Sequence, residues 1–372
     1  MGKIGAEARQ VTASSRCCLI QIGEYRGALY PGNDESIASG ILFSEPPCED
    51  RALNALYFDG NQIHLDTHYP QPSPDADEAL VRVQLAGICS TDMEVLRGYA
   101  GFSGVLGHEF VGVVETCASR PDLVGQRIAG EINIGCGECS FCARGIREHC
   151  LRRQALGIHG RDGVFAQFVT LPVANLHIVP DNVPDEAAVF TEPLAAALQI
   201  REQVAISPSN RIAVIGAGRL GQLVARSLVD TGCELVAIGR DLASRKLAIL
   251  REAGIATAVT GSLPNGWADV VVDCTGNPAA FADALDLVRP QGTLVLKSTY
   301  HGKAEVDLTR VVVDEIRVIG SRCGPFDRAL EALAGGRVIP RPLIDAEYPL
   351  TDGLQALEVA AKPGVLKVLL RP

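Results

Sequence analysis

The sequence has no excess of positive charge and no apolar run that approaches the length of a membrane span. Its formal net charge is −10 at pH 7, which argues against a surface for nucleic acids or anionic membranes. Its start has no signal-peptide pattern, so its twelve cysteines do not point to secretion. We therefore expect a cytoplasmic protein, in a reducing compartment, with no nucleic-acid or membrane partner.

Methionine is scarce, and neither of the two methionines marks a shorter start just before residue 53, where the character of the sequence changes. Residues 1–52 are irregular, with clusters of Ser, Gly, Pro and Cys, and they do not fit a core. Acidic residues such as Glu7 and Asp34 argue against a transit peptide. We interpret this segment as an N-terminal extension whose structure the sequence does not specify.

A chain of 372 residues is too long for one core of the usual size, so we expect two domains. From residue 53 onward, short strands are bounded by turns, and Asp59-Gly60 between two apolar runs is a hairpin signal. This half is predicted to be a small, mostly β, barrel-like domain. Its predicted strands cover residues 55–58, 62–65, 79–85, 110–115 and 164–171.

From about residue 184 the pattern changes to alternating helices and strands, which predicts a parallel sheet with helices on both faces. The last fifty residues are expected to return to the first domain. The fold class is therefore α/β, with one domain at 53–190 and 323–372 and the other at 191–322. The helices are predicted at 184–204, 221–229, 242–253, 279–288 and 326–334, and the strands at 211–215, 235–238, 269–274, 293–296 and 366–370.

Four cysteines lie close together in one loop, at the spacing Cys136-x2-Cys139-x2-Cys142-x7-Cys150. Thiolates at this spacing can converge on one tetrahedral Zn²⁺, because the short steps let the chain wrap around a single ion. Ordinary thiols or two disulfides are the alternative. The motif indicates a structural zinc that fixes a loop and takes no part in chemistry.

The segment Gly216-Ala217-Gly218-Arg219-Leu220-Gly221 follows a short apolar strand and opens a helix, which is the context that a dinucleotide-binding turn requires. Gly216 permits the tight turn, Gly218 lets the backbone approach a pyrophosphate, and Gly221 allows close packing of helix and strand. The first N–H groups of the helix would face the phosphates. A structural turn that binds no nucleotide is the alternative. We predict an NAD(P) site that includes Gly216, Gly218, Leu220 and Gly221.

The choice between NAD and NADP depends on the end of the next strand, where an acidic side chain would hold the ribose 2′-hydroxyl. Gly239 occupies that place, and Arg240 follows it. The missing carboxylate and the guanidinium favour NADP, unless Asp241 reaches back. Three further candidates for contact with the cofactor lie at or beyond other strand ends, with plain polarity as the alternative: Thr275, Ser298 and Arg322.

Three short motifs contain a thiol, an imidazole and two carboxylates. Such donors can bind zinc and leave one coordination position open for a substrate. Taken singly, Cys89 would be an ordinary buried residue and His108 an ordinary core histidine. Together they predict a catalytic zinc. The motifs are Gly87-Ile88-Cys89-Ser90-Thr91-Asp92, Gly107-His108-Glu109 and Thr191-Glu192-Pro193-Leu194.

With these motifs in this order, the chain resembles the zinc-dependent medium-chain dehydrogenase/reductase family, which includes alcohol, polyol and threonine dehydrogenases. The resemblance covers roughly residues 53–372. It implies a GroES-like catalytic domain, a Rossmann cofactor domain, two Zn²⁺ ions per subunit and NAD(P). It also implies a homodimer or homotetramer that acts on a small-molecule alcohol or carbonyl substrate.

By position, the resemblance implies that Cys89, His108 and Glu192 bind the catalytic zinc. Glu109 is then either a direct ligand or a close carboxylate that exchanges with Glu192 or water. Asp92 matches an acid that orients the histidine ligand, a role that fixes the tautomer of the imidazole.

Three other positions are assigned in the same way. Thr91 matches the hydroxyl that takes the proton of the substrate, and Lys367 matches a basic residue that reaches the pyrophosphate. Glu94 stands where many members have a histidine that passes the proton outward. It either does this work as a carboxylate or is a solvated surface acid.

The expected reaction is hydride transfer between a secondary alcohol, polyol or amino alcohol and NAD(P), with NADP favoured. Glu192 before Pro193 resembles the polyol and threonine dehydrogenase branch. One alternative is a zinc-free quinone or enoyl reductase on the same scaffold, against which the intact Cys89, His108 and Glu192 argue. Another is a non-catalytic NADP-binding redox sensor. The sequence does not specify the substrate.

Overall fold

The computed structural model describes residues 53–299 and 306–372. The predicted N-terminal extension, residues 1–52, lies outside the described residues. No helix within the two described ranges is both long and apolar enough to cross a bilayer.

The first half of the described chain is mostly β. The predicted hairpin is formed by its first two strands, with Gly60 at φ 98° in the turn between them. The elements are β1 (Leu53–Phe58), β2 (Ile63–Tyr69), β3 (Glu78–Gly87), α1 (Ser90–Leu96), β4 (Gly104–Val105), β5 (Glu109–Cys117), β6 (Arg127–Gly130), β7 (Asn133–Ile134), α2 (Ser140–Ala143), β8 (Gln154–Leu156), β9 (Gly160–Arg161), β10 (Phe168–Pro172), β11 (Leu176–Ile178) and α3 (Asp185–Ala188).

The second half alternates helices and strands before the chain returns to the first. Its elements are α4 (Thr191–Gln203), β12 (Arg211–Ile215), α5 (Arg219–Leu228), β13 (Glu234–Gly239), α6 (Arg245–Glu252), β14 (Ala256–Val259), β15 (Ala268–Asp273), α7 (Ala280–Leu287), β16 (Val288–Leu296), α8 (Leu308–Val313), β17 (Arg317–Gly320), α9 (Phe326–Ala334), β18 (Ile344–Pro349), α10 (Gly353–Ala360) and β19 (Lys367–Arg371).

A seven-stranded sheet forms the body of the first half, in the order β11-β6-β5-β3-β19-β18, with β10 also paired to β3. Buried Phe110, Ile128 and Phe165 belong to its core. The central pair, β3 and β5, is antiparallel and ends at the register Gly87↔Glu109. The C-terminal strand β19 pairs with the same end of β3, through Leu369↔Gly87. Residues of β5 and of β19 therefore meet where β3 ends.

A six-stranded sheet forms the second half, in the order β14-β13-β12-β15-β16-β17. All of its neighbouring strands are parallel. Its central strands are short apolar runs such as Val270, Val271 and Val272, which are buried because helices cover both faces. The predicted α/β fold class is confirmed.

The helix predicted over 184–204 is wrong as one element, because the structure divides it into α3 and α4. Proline at position 193 has no N–H to donate, and its ring would clash with the carbonyl of Val189 in a continuous helix. Proline is tolerated in the first turn of a helix. A second helix therefore begins at Thr191 and keeps Pro193 within its first turn.

Other element bounds also differ from the predictions. The strand predicted over 164–171 is regular only from Phe168, because Val164 and Phe165 donate backbone hydrogen bonds to Gly107 and Leu106 instead. The helix predicted over 242–253 begins at Arg245, after Ser244, whose hydroxyl caps it. Nine of the described strands were not predicted at all: β4, β6, β7, β8, β9, β11, β14, β17 and β18.

Candidate active site

Three metal-donor groups converge where β3 ends and β5 begins. One ligand atom each of Cys89, His108 and Glu109 lies within 4.8 Å of the others. The antiparallel register Gly87↔Glu109 brings the two segments together. Gly107, at φ 94°, permits the close turn that presents His108, because a Cβ there would lie 2.3 Å from the Phe165 ring.

The donor set itself fits zinc. A thiolate, an imidazole and a carboxylate are the ligand types of zinc sites, and three protein ligands leave the fourth tetrahedral position open. His108 and Glu109 are buried, while Cys89 is half-buried. This arrangement would hold the ion on one side and leave the other side reachable.

Asp92 contacts two of the three metal donors, His108 and Cys89. Its fully buried carboxylate has one oxygen 3.1 Å from His108 Nδ1 and accepts a hydrogen bond from the Cys89 N–H at 2.7 Å through the other. Burial opposes the protonation of His108, but the Asp92 charge outweighs it and raises the pKa of His108 well above its ordinary value. With Nδ1 turned to Asp92, Nε2 of His108 is the ring nitrogen left for a metal.

Glu192 lies outside the group of three converging donors, although its carboxyl group interacts electrostatically with His108 and Glu109. Burial is the main reason that the pKa of Glu192 is raised to about 7, and the negative charge of Glu109 adds to it. In this conformation Glu109 therefore occupies the place predicted for Glu192. The assignment of Glu192 as the third ligand stays a prediction.

The prediction that Lys367 reaches the pyrophosphate stays a prediction, and the structure shows a different contact of this residue. Lys367 is 3% exposed, and its ammonium forms an ion pair with the Glu109 carboxylate. The same ammonium donates to the Ile88 carbonyl at 3.5 Å. Because β19 pairs with β3, Lys367 lies at the metal-donor cluster, where it neutralises a buried carboxylate.

The two predicted proton-transfer residues lie on α1. Thr91 Oγ1 is 3.7 Å from Cys89 Sγ, so this hydroxyl borders the donor cluster. Glu94 lies nearer the surface, with a carboxylate oxygen 2.6 Å from the Arg97 guanidinium. Their roles in proton transfer stay predictions.

The four loop cysteines also converge, with their Sγ atoms within 4.8 Å of one another. Cys139 Sγ lies 3.6 Å from Cys142 Sγ and 3.7 Å from Cys150 Sγ. Disulfide sulfurs would be about 2 Å apart, whereas sulfurs about 2.3 Å from a tetrahedral ion are separated by roughly 3.8 Å. All four are free thiols, so the alternative of two disulfides is wrong and the geometry fits Zn²⁺.

The glycine-rich turn joins β12 to α5. Gly216 has φ 98°, and a Cβ on Gly221 would lie 1.8 Å from the Gly216 carbonyl oxygen, so both positions require glycine. Gly218, the residue before α5, has no atom within 4 Å of its Cβ position, which leaves room for a ligand. Leu220 is half-buried in the first turn of α5. The turn fits a pyrophosphate against the helix N–H groups.

The last position of β13 carries no carboxylate. Gly239 ends the strand, and Arg240 after it is exposed. Asp241 turns into its own loop, where Oδ1 accepts a hydrogen bond from the Ala243 N–H at 2.9 Å. This local bond engages the Asp241 carboxylate within its own loop, and the choice between NAD and NADP stays a prediction.

The other predicted cofactor contacts follow strand ends on the same edge of the sheet. Thr275, two residues beyond the end of β15, donates from Oγ1 to Asp273 at 2.7 Å. Ser298 is half-buried after β16. Arg322, after β17, is directed to the Glu148 carbonyl at 2.9 Å. Their contacts with a cofactor stay predictions.

Two cations near this edge were not assigned a role from the sequence. Arg219, inside the glycine-rich turn, donates to Ser90 Oγ and to the carbonyls of Ala360 and Leu366. It thereby joins the turn to the segment that carries Cys89. Lys297 is buried directly after β16, and its position immediately after an apolar strand was the available signal.

Comparison with known proteins agrees with both halves of the fold. The model of the alcohol dehydrogenase GroES-like domain matches residues 75–181, and that of the zinc-binding dehydrogenase domain matches residues 220–334. A sorbitol dehydrogenase of Halalkalibacterium halodurans is 28% identical over 323 residues, which cover 82% of this chain and 94% of the relative.

Two solved structures are similar over 86% of this chain and 99% of their own. A putative zinc-binding dehydrogenase from Sinorhizobium meliloti 1021, bound to NADP, has a TM-score of 0.80 and 28% identity. An alcohol dehydrogenase from Escherichia coli CFT073, in complex with NADH, has a TM-score of 0.80 and 25% identity.

Proposed function

The chain belongs to the zinc-type medium-chain dehydrogenase family, and on this basis we propose that it oxidises polyols or related secondary alcohols with NADP. The observation that carries the proposal is the convergence of Cys89, His108 and Glu109 in a protein that also has a dinucleotide-binding turn. Zinc-assisted hydride transfer uses both parts. Zinc supplies, when bound, a Lewis acid that polarises the oxygen of the alcohol or carbonyl group.

The residues of this chain would divide the remaining work. Cys89 and His108 hold the metal, and Asp92 keeps the imidazole in the orientation that binding needs. Thr91, beside the Cys89 thiol, accepts the proton of the substrate hydroxyl. Lys367 balances the charge of Glu109, so that this carboxylate does not add a full negative charge to the site.

The second metal would be structural. Four thiolates whose Sγ atoms lie within 4.8 Å of one another, two pairs of them at 3.6 and 3.7 Å, would complete a tetrahedral site with no open position, which supports two Zn²⁺ ions per subunit. All nine described cysteines are free thiols. This supports a reducing setting such as the cytoplasm.

NADP is proposed as the cofactor because of the charge at the end of β13. Arg240 is exposed there, and Asp241 is occupied by its own loop. An acidic residue would repel a 2′-phosphate, whereas a guanidinium binds phosphate well. The structural relative from Sinorhizobium meliloti is bound to NADP, and the one from Escherichia coli to NADH, so the local residues carry this proposal.

The reaction is tested by screening secondary alcohols, polyols and threonine with both cofactors. We expect NADP reduction with polyols or amino alcohols. We also expect kcat/KM with NADP to exceed kcat/KM with NAD roughly tenfold or more, because one charged contact with a phosphate accounts for a difference of about this size. A strong preference for NAD would contradict the cofactor assignment. Cofactor binding without turnover of any substrate would instead support a redox sensor.

Arg240→Ala tests the assignment of the 2′-phosphate contact to this residue. Its side chain is exposed, so the fold is expected to be unchanged. The substitution should remove most of the NADP preference by raising KM for NADP, while activity with NAD stays the same. An unchanged preference would place the 2′-phosphate contact on another residue.

We also propose that two copies associate through β17. Among the described strands, β17 ends the six-stranded sheet. Its Val318 is 42% exposed, and apolar side chains on α8 are more exposed, with Leu308 at 67% and Val312 at 74%. A sheet edge flanked by apolar side chains is a surface that proteins normally cover.

Light scattering tests this association. We expect a mass of twice the 39.4 kDa of one chain, or a multiple of it, and a shift toward one chain in Val318→Lys. A wild-type protein that is monomeric at micromolar concentration would contradict the proposal.

A further inference from the structure

Lys297 is a buried lysine at the carboxyl edge of the six-stranded sheet, directly after β16. Lys297 is 7% exposed, and its Nζ donates to Ser321 Oγ at 3.1 Å and to the Arg322 carbonyl at 2.6 Å. Within the described residues this ammonium forms no ion pair. Burying a cation that forms no ion pair with a carboxylate costs free energy, so we expect the charge of Lys297 to have a function.

The surroundings leave Lys297 charged at neutral pH. Burial lowers the pKa of Lys297 to about 8, and the groups that act against this are Cys274, Cys323 and Glu192. Cys323 is also a hydrogen-bond acceptor for Asn133 Nδ2 at 3.1 Å. Lys297 is therefore mostly an ammonium at pH 7, enclosed by the ends of β15 and β17 and the start of α4.

The position of this charge along the sheet edge relates it to the cofactor. A dinucleotide lies across the carboxyl ends of the strands, with its pyrophosphate at the glycine-rich turn. Here that turn follows β12, and the 2′-site of the adenosine half follows β13. The nicotinamide half must then extend the other way, over the ends of β15, β16 and β17.

Contacts along the edge agree with this order. A Cβ on Gly216 would lie 2.9 Å from the backbone of Cys274, so the turn adjoins the end of β15. The Lys297 N–H bonds to the Asp273 carbonyl at 3.0 Å, which places β16 next in line. Lys297 also interacts electrostatically with Glu192, on the side of the metal-donor cluster.

We propose that Lys297 determines the relative affinity of the enzyme for oxidised and reduced cofactor. The oxidised nicotinamide ring carries a positive charge and the reduced ring is neutral. A fixed ammonium beside the ring therefore disfavours the oxidised form and leaves the reduced form unaffected. This inference rests on the proposed function, since it requires a nicotinamide cofactor at this edge.

The test compares dissociation constants for NADP⁺ and NADPH in the wild type, Lys297→Gln and Lys297→Met. Glutamine removes the charge and keeps a donor for the Arg322 carbonyl, whereas methionine removes both. We expect the ratio of the constants, NADP⁺ over NADPH, to fall roughly tenfold in both variants. Two unit charges about 10 Å apart at an effective dielectric constant of about 20 give an effect of this size.

The ratio separates the charge from a merely structural role. Damage to the loop after β17 would weaken both forms alike and leave the ratio unchanged, which would overturn the inference. A fall of the ratio in Lys297→Met but not in Lys297→Gln would also overturn the inference, because the lost hydrogen bond and not the charge would then be responsible. A wild type that binds neither form would contradict the proposed function and this inference with it.

Discussion

Cys89→Ser is expected to lower kcat/KM on the order of a thousandfold while the fold stays intact. A serine hydroxyl is protonated at neutral pH and is a poor zinc ligand, so the catalytic ion would be lost or misplaced. A bound metal contributes several kcal/mol to stabilising the transition state, and each tenfold in rate corresponds to about 1.4 kcal/mol. The backbone N–H of residue 89 keeps its bond to Asp92, which preserves α1.

The measurement combines steady-state kinetics with zinc content and thermal melting. Zinc should fall from two ions per subunit to one, and Tm should change little. Cys233→Ser is the matched control, because this half-buried thiol belongs to neither donor group and contacts only the Leu228 carbonyl among the polar atoms described. Normal activity in Cys89→Ser would refute the assignment of the active site.

Cys142→Ser is expected to lower Tm by on the order of 10 °C. Its thiol lies among the four converging sulfurs, and the loop that carries them has only the short helix α2 as regular structure. Binding of a structural zinc contributes about 10 kcal/mol or more in small domains, and part of this is lost when one ligand is removed. In a chain of this size about 1 kcal/mol shifts Tm by roughly 1–2 °C.

Zinc analysis and calorimetry check this second result. One of two ions should be lost, and activity per folded molecule should suffer less than in Cys89→Ser, because the loop cysteines do not join the Cys89 cluster. The same Cys233→Ser variant controls for loss of a thiol. Unchanged Tm and an unchanged zinc content would show that the four thiols hold no structural metal.

Features that are local in the sequence could be predicted from it. The four loop cysteines fall within fifteen residues, so their convergence follows from spacing alone. The glycine-rich turn has a similar local signature. Its spacing already implies that Gly216 and Gly221 must be glycine, and the structure shows the steric reason at both positions. The α/β class followed from the alternation of elements.

Features that depend on strand pairing could not be predicted in the same way. Lys367 is 258 residues from Glu109 and meets it only because β19 pairs with β3. The presence of Glu109, and not Glu192, among the converging donors depends on the register Gly87↔Glu109. The burial of Lys297 depends on the loop after β17, a strand whose existence the sequence did not indicate.

The pairing of β19 with β3 has a consequence for biosynthesis. The strand that supplies the counter-charge to Glu109 is made 258 residues after the acid it neutralises, so the acid leaves the ribosome well before its cation. Until then Glu109 has no Lys367 beside it. Maturation of the metal-donor cluster therefore waits for the synthesis of β19, and a chain that terminates before β19 lacks this counter-charge even though Cys89, His108 and Glu109 have been made.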